Sequence, residues 1–262
     1  MLELNNSNYF SLEADQHYMS NSQYKDFVEC EARAMEKLTG SWKEPPSEAL
    51  LLGSYVHAWA EGTLDEFKTN NPELFTKKGE LYAQYKHADK MIETLAKDPF
   101  IMFLLQGEKE KIITAEFAGA VWKAKLDVRN EEGERIVDLK TVRDIRGKHW
   151  DKELGCYVSF VEAYGYLRQM ALYAELERIY YGHSHFYETY IVAVSKEDPP
   201  DKEVIGMDQH RMEEELAEIE RRMPRVLEVK SGNAEPKRCE NCRYCRETKK
   251  VTKVVHYMDL LA

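Results

Sequence analysis

The chain has 262 residues and a formal net charge of −10, with 43% hydrophobic and 32% charged residues. That is enough apolar content for a full core, and no apolar run nears the ~20 residues of a membrane span. The acidic balance excludes a protein that coats nucleic acid by bulk charge, but it is compatible with a local basic groove elsewhere balanced by acidic helices. The N-terminus lacks a charged-then-apolar signal segment, so the expected compartment is the cytoplasm.

In chain order, Ser20 to about Leu38 reads as a helix, with Tyr24, Phe27 and Val28 on one stripe and Ser20 or Ser22 as cap. Pro45-Pro46 breaks it. A second helix is expected from about Glu48 to Phe67, with Gly53 and His57 on one side, and Asn70-Asn71-Pro72 ends it. A third spans about Glu80 to Leu95, and a short one follows Pro99. The strands begin near Glu110: Lys111 to Phe117, then Val121 to Val128, then Arg135 to Val142 after a hairpin loop at 129–134. A polar link with Arg143, Arg146, Lys148 and His149 leads to a long helix over Phe160–Tyr181. A strand from His185 to Val194, an edge strand at Glu203–Gly206 and an amphipathic helix from about Asp208 to Val229 complete the pattern. This order suits an α/β or α+β fold with a helical N-terminal cover.

Asp138 and Lys140 sit two apart on one strand, so both side chains leave the same face. Asp127 lies on the neighbouring strand. Two carboxylates beside a lysine form a hard-oxygen pocket for Mg²⁺, with a cation at hand to hold a water or a phosphate. The competing reading of Asp138-Leu139-Lys140 is an edge-strand ion pair without metal; two carboxylates forced together would then be pushed up in pKa. Glu116 is an outer carboxylate candidate. Lys123 and Lys125 alternate onto the Asp127 face, and Arg143, Arg146 and Lys148 follow the Asp-x-Lys strand; all five are candidate phosphate contacts.

Five cysteines, three of them at Cys239, Cys242 and Cys245, do not read as a secreted disulfide framework. They read as a metal site in a reducing compartment. The run offers three ligands where zinc takes four, and Cys30 can supply the fourth. Cys156 falls outside the pattern and reads as a buried small residue.

Asp127, then Asp138-Leu139-Lys140, resembles the PD-(D/E)xK nuclease superfamily. Gly53-Ser54-Tyr55-Val56-His57 resembles its Gly-x-x-x-His motif, and Gln169-Met170-Ala171-Leu172-Tyr173 its Gln-x-x-x-Tyr motif. The order of the four motifs is that of the RecB-like branch, and the nearest likeness is to RecE-like phage and prophage exonucleases of the exodeoxyribonuclease VIII type. The resemblance implies a mixed central sheet flanked by helices. It also implies an Mg²⁺- or Mn²⁺-dependent deoxyribonuclease with two ions, acting on linear duplex ends in recombination or repair. Asp127, Asp138 and the Leu139 carbonyl would ligate metal, with His57 at the second ion. Lys140 would polarise the water, and Gln169 and Tyr173 would orient these groups or a phosphate. The one-early, three-late cysteines resemble the iron–sulfur variant of such nucleases, so a [4Fe–4S] cluster and Zn²⁺ both stand. A single-strand annealing partner and a homo-oligomeric ring that threads DNA are implied as well.

The expected organisation is one exonuclease unit over 1–262: a mainly helical part (1–105), a catalytic part (106–230) and a cysteine-rich tail (231–262). The alternative is a non-catalytic DNA-binding or assembly module on the same fold. Retention of Asp127, Asp138 and Lys140 together favours the enzyme.

Overall fold

The computed structural model describes residues 2–44, 48–152, 154–252 and 254–258. Helices α1 (Leu12–His17), α2 (Asn21–Glu29) and α3 (Glu31–Leu38) open the chain, and Ser20 caps α2 by accepting the Gln23 N–H at 3.2 Å. The helix expected through Leu38 is cut at Cys30, whose backbone is extended (φ −166°, ψ 102°). Just beyond, the Ala32 N–H donates to the Lys237 carbonyl (3.0 Å), so a long-range bond replaces one inside a helix. The break expected at Pro45-Pro46 lies outside the described residues. The second predicted helix is also two, α4 (Glu48–Glu61) and α5 (Leu64–Asn70), parted where Gly62 takes a φ of +82°. Helices α6 (Ala83–Ala96) and α7 (Pro99–Leu104) follow, and Asp98 caps α7 by accepting from the Phe100 and Ile101 N–H groups.

Strands β1 (Glu108–Phe117), β2 (Ala120–Asn130) and β3 (Arg135–Val142) form an antiparallel meander, with β3 matching its predicted span. The polar link after β3 holds a small antiparallel ribbon, β4 (His149–Asp151) with β5 (Cys156–Val158), where no strand was expected. Exposed Cys156 sits on that ribbon, contrary to its reading as a buried residue. The long helix predicted after it is cut into α8 (Phe160–Ala163) and α9 (Tyr166–Tyr181) by Gly165 in the left-handed region (φ +72°). Strand β6 (Glu188–Ser195) returns parallel to β3, and β7 (Lys202–Gly206) pairs antiparallel with β6. Helices α10 (Gln209–Lys230) and α11 (Arg243–Glu247) complete the described elements.

The result is a mixed α+β fold: a five-stranded sheet in the order β1-β2-β3-β6-β7 with helices on both faces. On one face Leu52, Tyr55, Val56 and Met91 from α4 and α6 pack on Val128, Val137, Leu139 and Val192. On the other, Met170, Leu172, Ile219 and Met223 from α9 and α10 pack on Trp122, Leu126, Ile136 and Ile191. These alternating apolar faces on β3 and β6 explain why the strands read as continuous hydrophobic runs. No helix among the described residues is long and apolar enough to cross a membrane.

The sheet has one irregularity, and the candidate site is built on it. Strands β2 and β3 pair only from Val128–Asn130 to Arg135–Val137 and then diverge. The edge of β2 that β3 leaves is taken by the N-terminal segment: the Met19 N–H donates to Val121 (2.9 Å) and the Lys123 N–H to the Met19 carbonyl (2.8 Å).

Candidate active site

The β2–β3 fork opens at Asp127. Its Oδ2 accepts the Leu139 N–H at 2.9 Å, so a side chain satisfies the ladder donor that β2 has abandoned. Asp138, on β3, is almost fully buried. Its Oδ1 accepts from Gln169 Nε2 (3.0 Å), and the same Gln169 nitrogen donates to the Tyr173 hydroxyl (3.0 Å). Gln169 and Tyr173 reach the strand together because residues four apart share a helix face. Lys140 Nζ stands 2.7 Å from Asp138 Oδ2, as the strand alternation predicts, and 4.7 Å from the centre of the Tyr166 ring.

His57 enters from the opposite face. Gly53 faces β3 closely: a Cβ there would sit 3.2 Å from Thr141 Oγ1, a contact tight enough that the threonine would have to give by a few tenths of an ångström. One helical turn on, His57 Nδ1 lies 3.4 Å from Asp127 Oδ2. The structure therefore brings together His57, Asp127, Asp138, Leu139, Lys140, Gln169 and Tyr173, which lie far apart in sequence.

The electrostatics of this cluster are unfavourable without a cation. Burial and the Asp138 carboxylate push Asp127 up to about 6, against the pull of His57, Lys140 and the Leu139 N–H. A folded-state pKa above the unfolded value of 3.8 stabilises the fold fully below about pH 4, and that contribution is lost as pH rises through about 6. Over this interval it amounts to about 3 kcal/mol. In EDTA, Asp127→Asn is therefore expected to melt several degrees above wild type at pH 7.5 and to lose that advantage near pH 4. Equal melting temperatures at pH 7.5 would show that the carboxylates do not strain the fold.

A divalent cation fits this donor set. Asp138 Oδ2 is buried and makes no hydrogen bond, its ion pair with Lys140 having the distance but not the angles of one. Asp127 is held above its ordinary pKa first by burial and then by the Asp138 carboxylate. Among the described residues, only the cysteines bring three or more His, Cys, Asp or Glu donors within 4.8 Å of one another. The carboxylate site is not a closed set of that kind, so water and substrate oxygens would have to complete the shell of a Mg²⁺ held there.

The other predicted residues divide. Lys123 is buried, its ammonium held by the Tyr9 carbonyl and by Asp15 (2.7 Å), so it is not available to a phosphate. Lys125 stays on the cleft wall but is paired with Glu110. Arg143 and Lys148 are exposed, and Arg146 pairs with Glu203 on β7 (3.1 Å). Glu116 does not belong to the site. It is exposed and faces Val121 in the β1–β2 ladder, at the end of β2 remote from Asp127. The acidic residues that approach from β1 and α4 are Glu110 and Glu61, hydrogen-bonded to each other beside Lys125. Burial and Glu110 raise the Glu61 pKa. Glu61 is four residues beyond His57, a helical spacing that could have revealed it; Glu110 takes a positive φ (+53°) within β1, a conformation that carries no sequence signal. The open cavity at this site, about 330 Å³, is lined by Asp127, Gln169 and Tyr173 and by Tyr9 and Phe10, which sequence reasoning did not single out. A larger cleft of about 420 Å³ between α9 and α10 contains none of these residues.

The four cysteines form a second centre. All four sulfurs lie within 4.8 Å of one another, with Cys30 Sγ 3.6 Å and Cys239 Sγ 3.9 Å from Cys245 Sγ. Backbone N–H groups of Cys242 and Cys245 donate to the sulfurs of Cys239 (3.3 Å) and Cys242 (3.4 Å). Burial raises Cys239, but the N–H groups of Cys242 and Asn241 outweigh it and bring the thiol down to about 6. Burial and Cys30 push Cys245 up to about 12.

A family model described as "PDDEXK-like domain of unknown function (DUF3799)" matches residues 20–248. A crystal structure of a protein named "Putative exonuclease" from Eubacterium rectale is 41% identical, covering 100% of this chain and 99% of that one, with a TM-score of 0.93. The structure of SSO0001 is 16% identical over 89% of this chain and 88% of that one; its TM-score of 0.36 is too low to carry an argument. A comparison with curated proteins found no match.

Proposed function

Because the chain belongs to the PDDEXK-like family DUF3799, we propose that it is a divalent-metal-dependent DNA exonuclease of the RecE-like kind, with 1–262 acting as one catalytic unit. The observation that carries this reading is the fork itself: Asp127 and Asp138 converge from diverging strands, with Lys140 against the second carboxylate. The name of the Eubacterium rectale protein supports the exonuclease part.

Asp127, Asp138 and the Leu139 carbonyl would hold the cation, and His57 would serve a second. The bound ion supplies Lewis-acid stabilisation of the phosphate and lowers the pKa of a water. The protein's own part is positional. The Leu139 N–H and His57 fix Asp127 Oδ2, and Gln169 fixes Asp138 Oδ1, so neither carboxylate has to reorganise during the reaction. Lys140, a cation on the same strand, orients the attacking water and offsets charge developing on the phosphate.

Linear duplex ends are the substrate, and recombination or repair with an annealing partner is the setting, with a ring of copies as the assembly. Digestion of end-labelled linear, nicked and circular DNA in Mg²⁺ or Mn²⁺ tests the reading. Loss of label from linear DNA alone is expected, and intact linear DNA with either ion would overturn it. Crystals soaked in millimolar Mn²⁺ should give an anomalous peak beside Asp127 and Asp138; a featureless map there would remove the metal assignment.

For the cysteines the distances favour zinc over a cluster. Four thiolates at ~2.3 Å from one tetrahedral ion lie ~3.8 Å apart, close to the 3.6 Å and 3.9 Å observed. The larger [4Fe–4S] core would hold its four thiolates farther apart. Arg33 and Arg238 lie near Cys242 and Cys245 and offset the thiolate charge.

A further inference from the structure

The segment before α2 is a strap fastened beside the candidate active site. Lys123 holds it at the Tyr9 carbonyl and at Asp15, and Lys230 donates to the carbonyls of Asp15 (3.0 Å) and Tyr18 (2.9 Å) and to Gln23 Oε1 (2.8 Å). Tyr9 is buried against the Lys123 ammonium, 4.8 Å from its ring centre. The next residue behaves differently. Phe10, edge-on to Tyr9 at 4.8 Å, is 76% exposed, and its ring is 5.3 Å from the Lys125 ammonium. An anchored backbone thus presents a large apolar ring to solvent, where burial gives it no folding benefit. The ring also borders the cavity that contains Asp127, Gln169 and Tyr173. At about 330 Å³ this cavity is at the small end of ligand pockets (roughly 300–1,000 Å³). A volume of that order has room for one nucleotide unit inside the cleft.

Resting on the nuclease reading above, we propose that Phe10 is the stacking platform for the base of the terminal nucleotide, whose phosphate lies toward Asp127. The strap then walls the cleft on one side, so that a strand end is accepted and an internal stretch is not. Every base has a π-face, so the platform binds without sequence preference. The lysines that fasten the strap place its ring at a fixed depth from the carboxylates.

The test crosses two changes, measured by fluorescence anisotropy in Ca²⁺, a cation that takes oxygen ligands and can sit between carboxylate and phosphate, with gels of the same samples checking that the oligonucleotides stay intact. Oligonucleotides carry a normal or an abasic terminal nucleotide, at the 5′ or the 3′ end, and bind either wild type or Phe10→Ala. Wild type is expected to bind the abasic form at one end about 5–100-fold more weakly, the range of one base–aromatic stack. Phe10→Ala should bind the intact oligonucleotide about as weakly and show no further loss on removal of the base, while Phe10→Trp restores the discrimination. An abasic penalty that is absent in wild type, or unchanged in Phe10→Ala, overturns the proposal. So does a variant with normal DNA binding but an altered oligomeric state by sedimentation, which would assign the ring to contacts between copies. Wild-type digestion with Mn²⁺ is run alongside. No cleavage with the coupling intact would reject the nuclease and keep the base site; cleavage without coupling would reject only the platform.

Discussion

Lys140→Ala is expected to slow DNA hydrolysis by about 10²–10³-fold, the usual cost of removing one pre-positioned charge donor from a hydrolytic site. Burial alone would lower the lysine's pKa, but Asp138 and Asp127 outweigh it and the net shift is upward. The two carboxylates thus favour the charged ammonium at this position. Its contribution is a fixed positive charge, 2.7 Å from Asp138 and seated on Tyr166. Such a charge matters most when negative charge accumulates on the phosphate, so the loss should fall on kcat and leave KM and metal-free DNA binding nearly unchanged. Arginine should rescue poorly, because a planar fork cannot occupy the site of a compact ammonium. A Lys140→Ala enzyme with near wild-type turnover would make the lysine a purely structural partner of Asp138.

The residues of this cluster could be read from the sequence; the way they are held could not. Alternation along β3 is a local property, so Asp138 and Lys140 were correctly placed on one face. The same alternation, carried along β2, put Lys123 and Lys125 beside Asp127 as phosphate contacts. It could not show that the strap and Glu110 already occupy their ammonium groups, since those partners come from distant segments. The fork was hidden for a related reason. Val121 to Val128 has the pattern of an ordinary paired strand, and only the structure shows Met19 taking the edge that β3 leaves. Helix lengths were overestimated wherever a tertiary contact or a positive φ overrides an amphipathic stripe, at Cys30, Gly62 and Gly165. The β4–β5 ribbon escaped because its three-residue strands, His-Trp-Asp and Cys-Tyr-Val, are too short for any periodicity.

With zinc at the cysteine centre, as proposed above, its removal is expected to lower stability by about 5 kcal/mol. Cys30 and Cys245 are 215 residues apart in sequence, and a cross-link closing a loop of that length withdraws about 5 kcal/mol of unfolded-state entropy. For a chain of this size the loss corresponds to a fall of roughly 10–20 °C in melting temperature. The effect should be local at first. Glu31 still accepts from Arg225 (2.7 and 2.9 Å) and from the Lys237 N–H (2.7 Å), so the tail keeps a polar anchor on α3 after the sulfurs are released. Cys245→Ala is the sharpest probe, because its sulfur is buried and lies close to those of both Cys30 and Cys239. Protein purified without oxygen should be colourless and carry one zinc per chain, and Cys245→Ala should lose both the zinc and the thermal stability. A brown protein with iron and sulfide would replace the single ion by a cluster. A Cys245→Ala melting temperature within a degree or two of wild type would leave the four sulfurs gathered by packing alone, with the tail held through Glu31.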